Sequence, residues 1–219
     1  MEKYWQIEKM NLKYHVPFHV LACVLLLAVS PLLMGTENLP AADTAKVLEY
    51  YVALMGIVMA PPIFLPEQNR DIRELVFAKY TDSAAVYLAR LLGNMLILGV
   101  LLGVYLWTLK NNRCEFPAVR YYFGVFAEML FLGGLGLFFY GVSDNYVLGY
   151  MVPVIYYLIA LGSGEKYLKL FYPFSMSAER YAEKIYLFAA AVVLTAGGVY
   201  FRCRSHGGIC CCSRPRIRS

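Results

Sequence analysis

Residues 121–142 read YYFGVFAEMLFLGGLGLFFYGV, 22 positions that carry one charge, Glu128. A helix rises 1.5 Å per residue, so about 20 apolar residues cross the roughly 30 Å of bilayer hydrocarbon. The run is continuous rather than alternating at period two, which selects a helix over a strand of a barrel. Ser143-Asp144-Asn145 follows, and a second apolar run, 146–161, starts at once. The chain therefore crosses, turns within three residues and crosses back. Working outward, residues 16–34, 48–65, 86–109 and 185–201 are runs of the same kind. The expectation is an all-α integral membrane protein with a bundle of six spans, the fifth (146–161) being the shortest.

Composition agrees. Of 219 residues, 60% are hydrophobic and 16% charged, against about 45–50% and roughly 25% in soluble domains. This excludes a disordered chain and a disulfide scaffold, and argues against a soluble enzyme. The net charge of +5 suits juxtamembrane basic residues rather than a nucleic-acid footprint, which clusters on one face. Cys23 and Cys114 stand alone, and the other four cysteines fall within 203–212. No spacing in the body matches a redox or zinc motif, so no metal site is expected. The Cys/Arg-rich tail, 202–219, is expected to stand outside the fold, because composition shifts abruptly after Tyr200-Phe201. The first run is longer than a signal-peptide core and reads as a retained anchor.

Two polar stretches have membrane-surface character. Residues 1–15 interleave Tyr4, Trp5, Met10 and Tyr14 with Lys3, Lys9 and Lys13, the mixture of rings and ammonium groups that an interfacial helix uses. Residues 66–83 begin with Pro66, which stops the preceding span. Ile72, Leu75, Val76 and Lys79 then recur at helical spacing, with Arg70, Arg73 and Glu74 on the polar side. With both termini in the cytoplasm, twelve Lys and Arg lie inside and eight outside; without the Arg214, Arg216 and Arg218 tail the count is nine to eight, so the positive-inside rule favours this orientation only narrowly.

Within the spans, Gly99 and Gly103 form a G-x-x-x-G, and Gly133, Gly134 and Gly136 form a cluster. Small residues let helices approach closely in lipid, either inside one subunit or across a dimer seam. Glu128 is costly in hydrocarbon and should face the bundle interior. It reads either as a substrate-path or proton-coupled carboxylate, or as one half of an internal ion pair with Arg113 or Arg120. Pro61-Pro62 and Pro153 remove backbone donors inside spans and mark bends.

The order of these parts resembles the ABC-2 type permease subunit of bacterial ATP-binding-cassette exporters: an N-terminal elbow helix, two spans, a cytoplasmic coupling segment, then four more spans. The stretch Ile72-Arg73-Glu74-Leu75-Val76 with Lys79-Tyr80-Thr81, followed by Arg90 entering span three, is similar to that coupling segment. The Ser143-Asp144-Asn145 turn sits where the family has its second small cytoplasmic loop, and residues 164–183 sit where it often has re-entrant helices. The resemblance implies an elbow at 1–15 and a coupling helix at 66–83. It also implies that Arg70, Arg73, Glu74, Lys79 and Asp144 contact an ABC ATPase subunit. A second permease copy or a related permease would complete the pathway in the bacterial cytoplasmic membrane. The chain has no G-x-x-x-x-G-K-[ST] phosphate loop, so it is expected to hold no cofactor of its own, with ATP-Mg in the partner ATPase, and no nucleic acid. The other classes weighed are a membrane scaffold or immunity-type binding protein, an ion-coupled secondary transporter and an intramembrane enzyme. The enzyme ranks last, because no H-E-x-x-H or G-x-S-x-G occurs.

Overall fold

Val16–Met34 forms helix α1, coincident with the first expected span. It stops where Gly35 takes a left-handed φ of +69° and its N–H closes on the Pro31 carbonyl at 2.9 Å, a helix end that glycine makes without a Cβ penalty. The computed structural model of the protein describes residues 16–67, 83–178 and 180–206. The elbow expected at 1–15, the coupling residues Arg70, Arg73, Glu74 and Lys79, and the tail from 207 onward lie outside the described residues. Among those described, all regular structure is helical.

The remaining helices are α2 (Ala41–Tyr50), α3 (Met55–Met59), α4 (Ser83–Asn111), α5 (Ala118–Ser143), α6 (Tyr146–Leu168) and α7 (Ala182–His206), with 3-10 turns at Val52–Leu54, Pro61–Glu67, Lys169–Phe171 and Met176–Ala178. Among the described residues five segments are long and apolar enough to cross a membrane: α1, the broken passage Ala41–Leu65, α4, α5 and α7. These helices are compatible with a multi-pass membrane protein. The expected fifth span lies in α6, whose apolar part, Tyr146–Gly162, is shorter than a full crossing. The region 164–183 holds no pair of re-entrant helices among the described residues: α6 runs on to Leu168, and short 3-10 turns follow.

α5 is the axis of the bundle. It packs most extensively against α7, next against α6 and then against α3. The Ala41–Leu65 passage is also interior, with 78% of its apolar window buried against 17% for α1. Phe18, Leu25, Leu32 and Leu33 of α1 are exposed, the expected state of a helix whose partner is lipid. α1 is tied to the bundle by Ser30, whose hydroxyl meets Tyr105 Oη at 2.6 Å. Loop contacts add to this at the same end, where the Asn38 N–H donates to the Asn112 carbonyl and Cys114 Sγ donates to the Thr36 carbonyl.

The second span departs from its expected form. It begins at Ala41, not at 48, and is broken twice rather than merely bent. The second break has a plain cause. Pro61 and Pro62 lack N–H groups, and the Ile63 N–H bonds to Ala60 in a 3-10 turn, leaving the Met59 carbonyl without its helical donor. Asn94 of α4 supplies one, Nδ2 to Met59 O at 2.9 Å. Arg90, one turn earlier on α4, donates to the Ile63 carbonyl at 3.2 Å. Arg90 thus serves the Ile63 carbonyl within the turn that follows the proline break, and Asn94 supplies the donor that the break withholds from the Met59 carbonyl. Asn94→Leu is expected to cost about 1–3 kcal/mol by leaving that carbonyl unsatisfied; an unchanged denaturant midpoint in mixed micelles would count against this role.

Candidate functional site

Most buried charge in the bundle collects at two places. The first lies on the side of the 169–181 connection. Glu49 comes from the last turn of α2, Glu128 from α5 and Lys184 from the first turn of α7. All three are buried, both glutamates completely. Lys184 Nζ donates to Glu49 Oε1 at 2.8 Å and to Glu128 Oε2 at 3.0 Å, and its third donor goes to the Pro173 carbonyl. Met176 N also donates to Glu49 Oε1, at 2.8 Å. An ammonium has three N–H groups, and all three are spent. Glu128 is ten residues into α5, about 15 Å along a helix about 39 Å long, so the cluster is well below the helix end.

Glu128 is therefore the interior carboxylate its residue type implied, but its cationic partner is neither Arg113 nor Arg120. Arg120 is eight residues earlier on the same helix, about 12 Å away along its axis, and its guanidinium lies 5.9 Å from the Tyr181 ring centroid. Arg113 is exposed in the α4–α5 connection. Lys184 reaches Glu128 because α7 packs along α5. Sequence reasoning missed Glu49 and Lys184. The first is the second residue of the expected 48–65 run, and the second lies one residue before the expected start of the last span.

The second place is at the opposite end of the bundle. The last helix continues to His206, so the tail boundary expected at 202 is displaced: residues 202–206 belong to α7, and Arg202 is 1% exposed. Its Nη1 donates to Asp144 Oδ1. Asp144 closes α5 in the left-handed conformation, φ +52°, with its N–H on the Tyr140 carbonyl at 3.0 Å, and Asn145 then caps α6 by accepting from the Val147 N–H at 2.9 Å. This is how three residues reverse the chain. The Arg202 guanidinium carbon stands 5.5 Å from the centroid of Phe64 and 5.4 Å from that of Tyr140, within cation–π range. Phe64 is edge-on to Tyr87 of α4 at 5.0 Å. One arginine thus joins the α5–α6 turn to Phe64, and Phe64 joins that group to Tyr87 on the far flank of the 66–83 segment.

The glycines make contacts within this one chain. A Cβ on Gly99 would stand 2.9 Å from the Tyr122 hydroxyl, and one on Gly103 would stand 3.9 Å from the same ring. At Gly133 it would meet the Ala60 Cβ at 2.7 Å, and at Gly136 the Gly149 carbonyl at 2.6 Å. Gly99 and Gly103 therefore seat α4 on α5, while Gly133 and Gly136 admit the broken second span and α6.

No protein family model, curated protein or solved structure matches this chain.

Proposed function

We propose that the chain is the transmembrane permease subunit of an ABC-2 type exporter, moving its cargo by alternating access that a separate ATPase drives. In this reading α6 is the fifth of six spans and residues 1–15 are the elbow. Residues 66–83 are the coupling helix, and both termini face the cytoplasm of a bacterial inner membrane. A second permease completes the pathway. The observation that carries the proposal is the convergence on Arg202. Phe64, on the near flank of the 66–83 segment, and the Asp144 turn meet at one arginine of the last helix, and Phe64 in turn packs on Tyr87 of the far flank. A partner gripping the segment and the turn would move α5, α6 and α7 together, as rigid-body transmission requires. Arg70, Arg73, Glu74 and Lys79 would then dock the ATPase, Asp144 would transmit the push, and Glu128 would belong to the gate rather than to nucleotide chemistry.

The test is capture of the full chain in detergent with the ATPase encoded beside it. The expected result is a stable complex that hydrolyses ATP and that weakens at least tenfold with Arg73→Glu or Glu74→Arg, a loss of about 1.4 kcal/mol. A folded chain that retains no ATPase would overturn the reading.

A further inference from the structure

The first buried cluster does not balance. Glu49 and Glu128 contribute two negative charges and Lys184 one positive charge, a net charge of −1 in a site the solvent does not reach. Its hydrogen bonds do not balance either. Lys184 has spent its three donors on Glu49 Oε1, Glu128 Oε2 and the Pro173 carbonyl. The second oxygen of each carboxylate, Glu49 Oε2 and Glu128 Oε1, is buried with no partner, and so is Ser175 Oγ. Ser175 lies between Pro173 and Met176, both of which touch the cluster. Since the two bonded carboxylate oxygens lie 2.8 Å and 3.0 Å from one nitrogen, they are at most 5.8 Å apart, the sum of the two distances. A buried carboxylate oxygen without donor or countercharge is strongly disfavoured, and here two such oxygens belong to one site.

We infer that the Glu49–Lys184–Glu128 cluster is an exchangeable binding site for one monovalent cation, a proton or a sodium ion, taken up by the unpartnered carboxylate oxygens. A single positive charge brings the site to neutrality, whereas a divalent ion would overshoot it. The neighbouring titratable groups do not supply that charge. From α6, Tyr156 and Tyr157 interact electrostatically with Glu128, but their hydroxyls donate to the Phe171 and Tyr50 carbonyls. Glu183, beside Lys184, faces Arg180 at 3.5 Å. Proton uptake forms one O–H bond and breaks none within the protein; sodium uptake forms only coordination contacts. The inference does not depend on an ATPase: the site can fail with the complex intact, and the complex can fail with the site intact.

Infrared difference spectroscopy of the full chain in lipid nanodiscs tests it, with pH stepped from about 9 to about 5, a range that brackets both ordinary and raised carboxyl titrations, in either choline chloride or sodium chloride. Glu49→Gln and Glu128→Gln keep the shape and remove one charge each. The expected result is a titrating signal worth one carboxyl group in the unmodified chain that both variants lose. If sodium leaves that signal unchanged, the occupant is the proton. If sodium suppresses it and shifts the carboxylate bands, the occupant is sodium. Spectra of the unmodified chain that show neither a titrating carboxyl beyond the surface groups retained in both variants nor any difference between the two salts would overturn the inference. So would a protonated carboxyl that persists unchanged across the whole range, because such a site does not exchange.

Discussion

Lys184→Met should be among the most damaging single substitutions in this chain. It removes the only cation that touches Glu49 and Glu128 among the described residues, and it also releases the Pro173 carbonyl. Breaking a buried pair by deleting one partner costs about 3–5 kcal/mol, and here two carboxylates lose the same partner. The denaturant midpoint in mixed micelles should fall accordingly. Adding Glu49→Gln and Glu128→Gln to the same chain should recover most of the loss, because it removes the stranded charges. Lys46→Met serves as the control. Its pair with Asp43, at 2.8 Å, is open to solvent, and its removal should leave the midpoint where it was, since exposed pairs contribute little. Equal effects at Lys46 and Lys184 would sink the interpretation.

Gly56→Ala should rival it by a different route. A Cβ at Gly56 would stand 2.1 Å from the Met129 carbonyl oxygen and 2.7 Å from its carbon. The obstacle is backbone in the middle of α5, so no side chain can rotate out of the way. α3 must instead move off α5, and with it the passage that carries Glu49 and the Pro61–Glu67 turn. Overpacking typically costs about 1–3 kcal/mol, and the upper end applies where backbone meets backbone. Gly162→Ala, in α6 with nothing within 4 Å of the added Cβ, should instead stabilise the protein by about 0.5–1 kcal/mol. Opposite signs in one unfolding assay would confirm the close approach; a shared sign would refute it.

The long apolar helices, the axial α5 among them, were legible in the sequence, and the half-polar second span was hard to read. α1 ends where its run was expected to end, because its surface is apolar and exposed along its length and hydropathy measures that directly. The second span was located only in part. Its first half, α2, carries Asp43, Lys46 and Glu49, and a hydropathy run stops at such residues. Yet Thr44 and Glu49 are fully buried there, Thr44 donating to the Pro40 carbonyl and Glu49 meeting Lys184 of α7. Pro61-Pro62 signalled a bend, but not that Asn94 would supply the missing donor. The same reasoning explains the candidate sites. Glu128 stood out as a lone charge in an apolar run, whereas Glu49 and Lys184 lay at apparent span ends, where charges are ordinary. Arg202 was set apart with the tail, since only its packing against Phe64 and Tyr140 marks it as part of the bundle.

The pairing of Glu49 with Lys184 spans 135 residues, and this has a consequence for biogenesis. At about 5–20 residues per second, the ribosome delivers Lys184 roughly 7–27 s after Glu49. Throughout that interval the second segment carries an uncompensated carboxylate, which costs about 2.5–3.5 kcal/mol at a helix centre on insertion scales. It should therefore wait beside the insertion machinery, with Glu128 as a second waiting charge, until the last helix emerges. A nascent chain stalled before residue 184 should leave Ala41–Leu65 extractable by alkaline carbonate, whereas a chain released after α7 should hold it fast. The lysine that closes the folded cluster would thus also act as the late signal that commits the second segment to the bilayer.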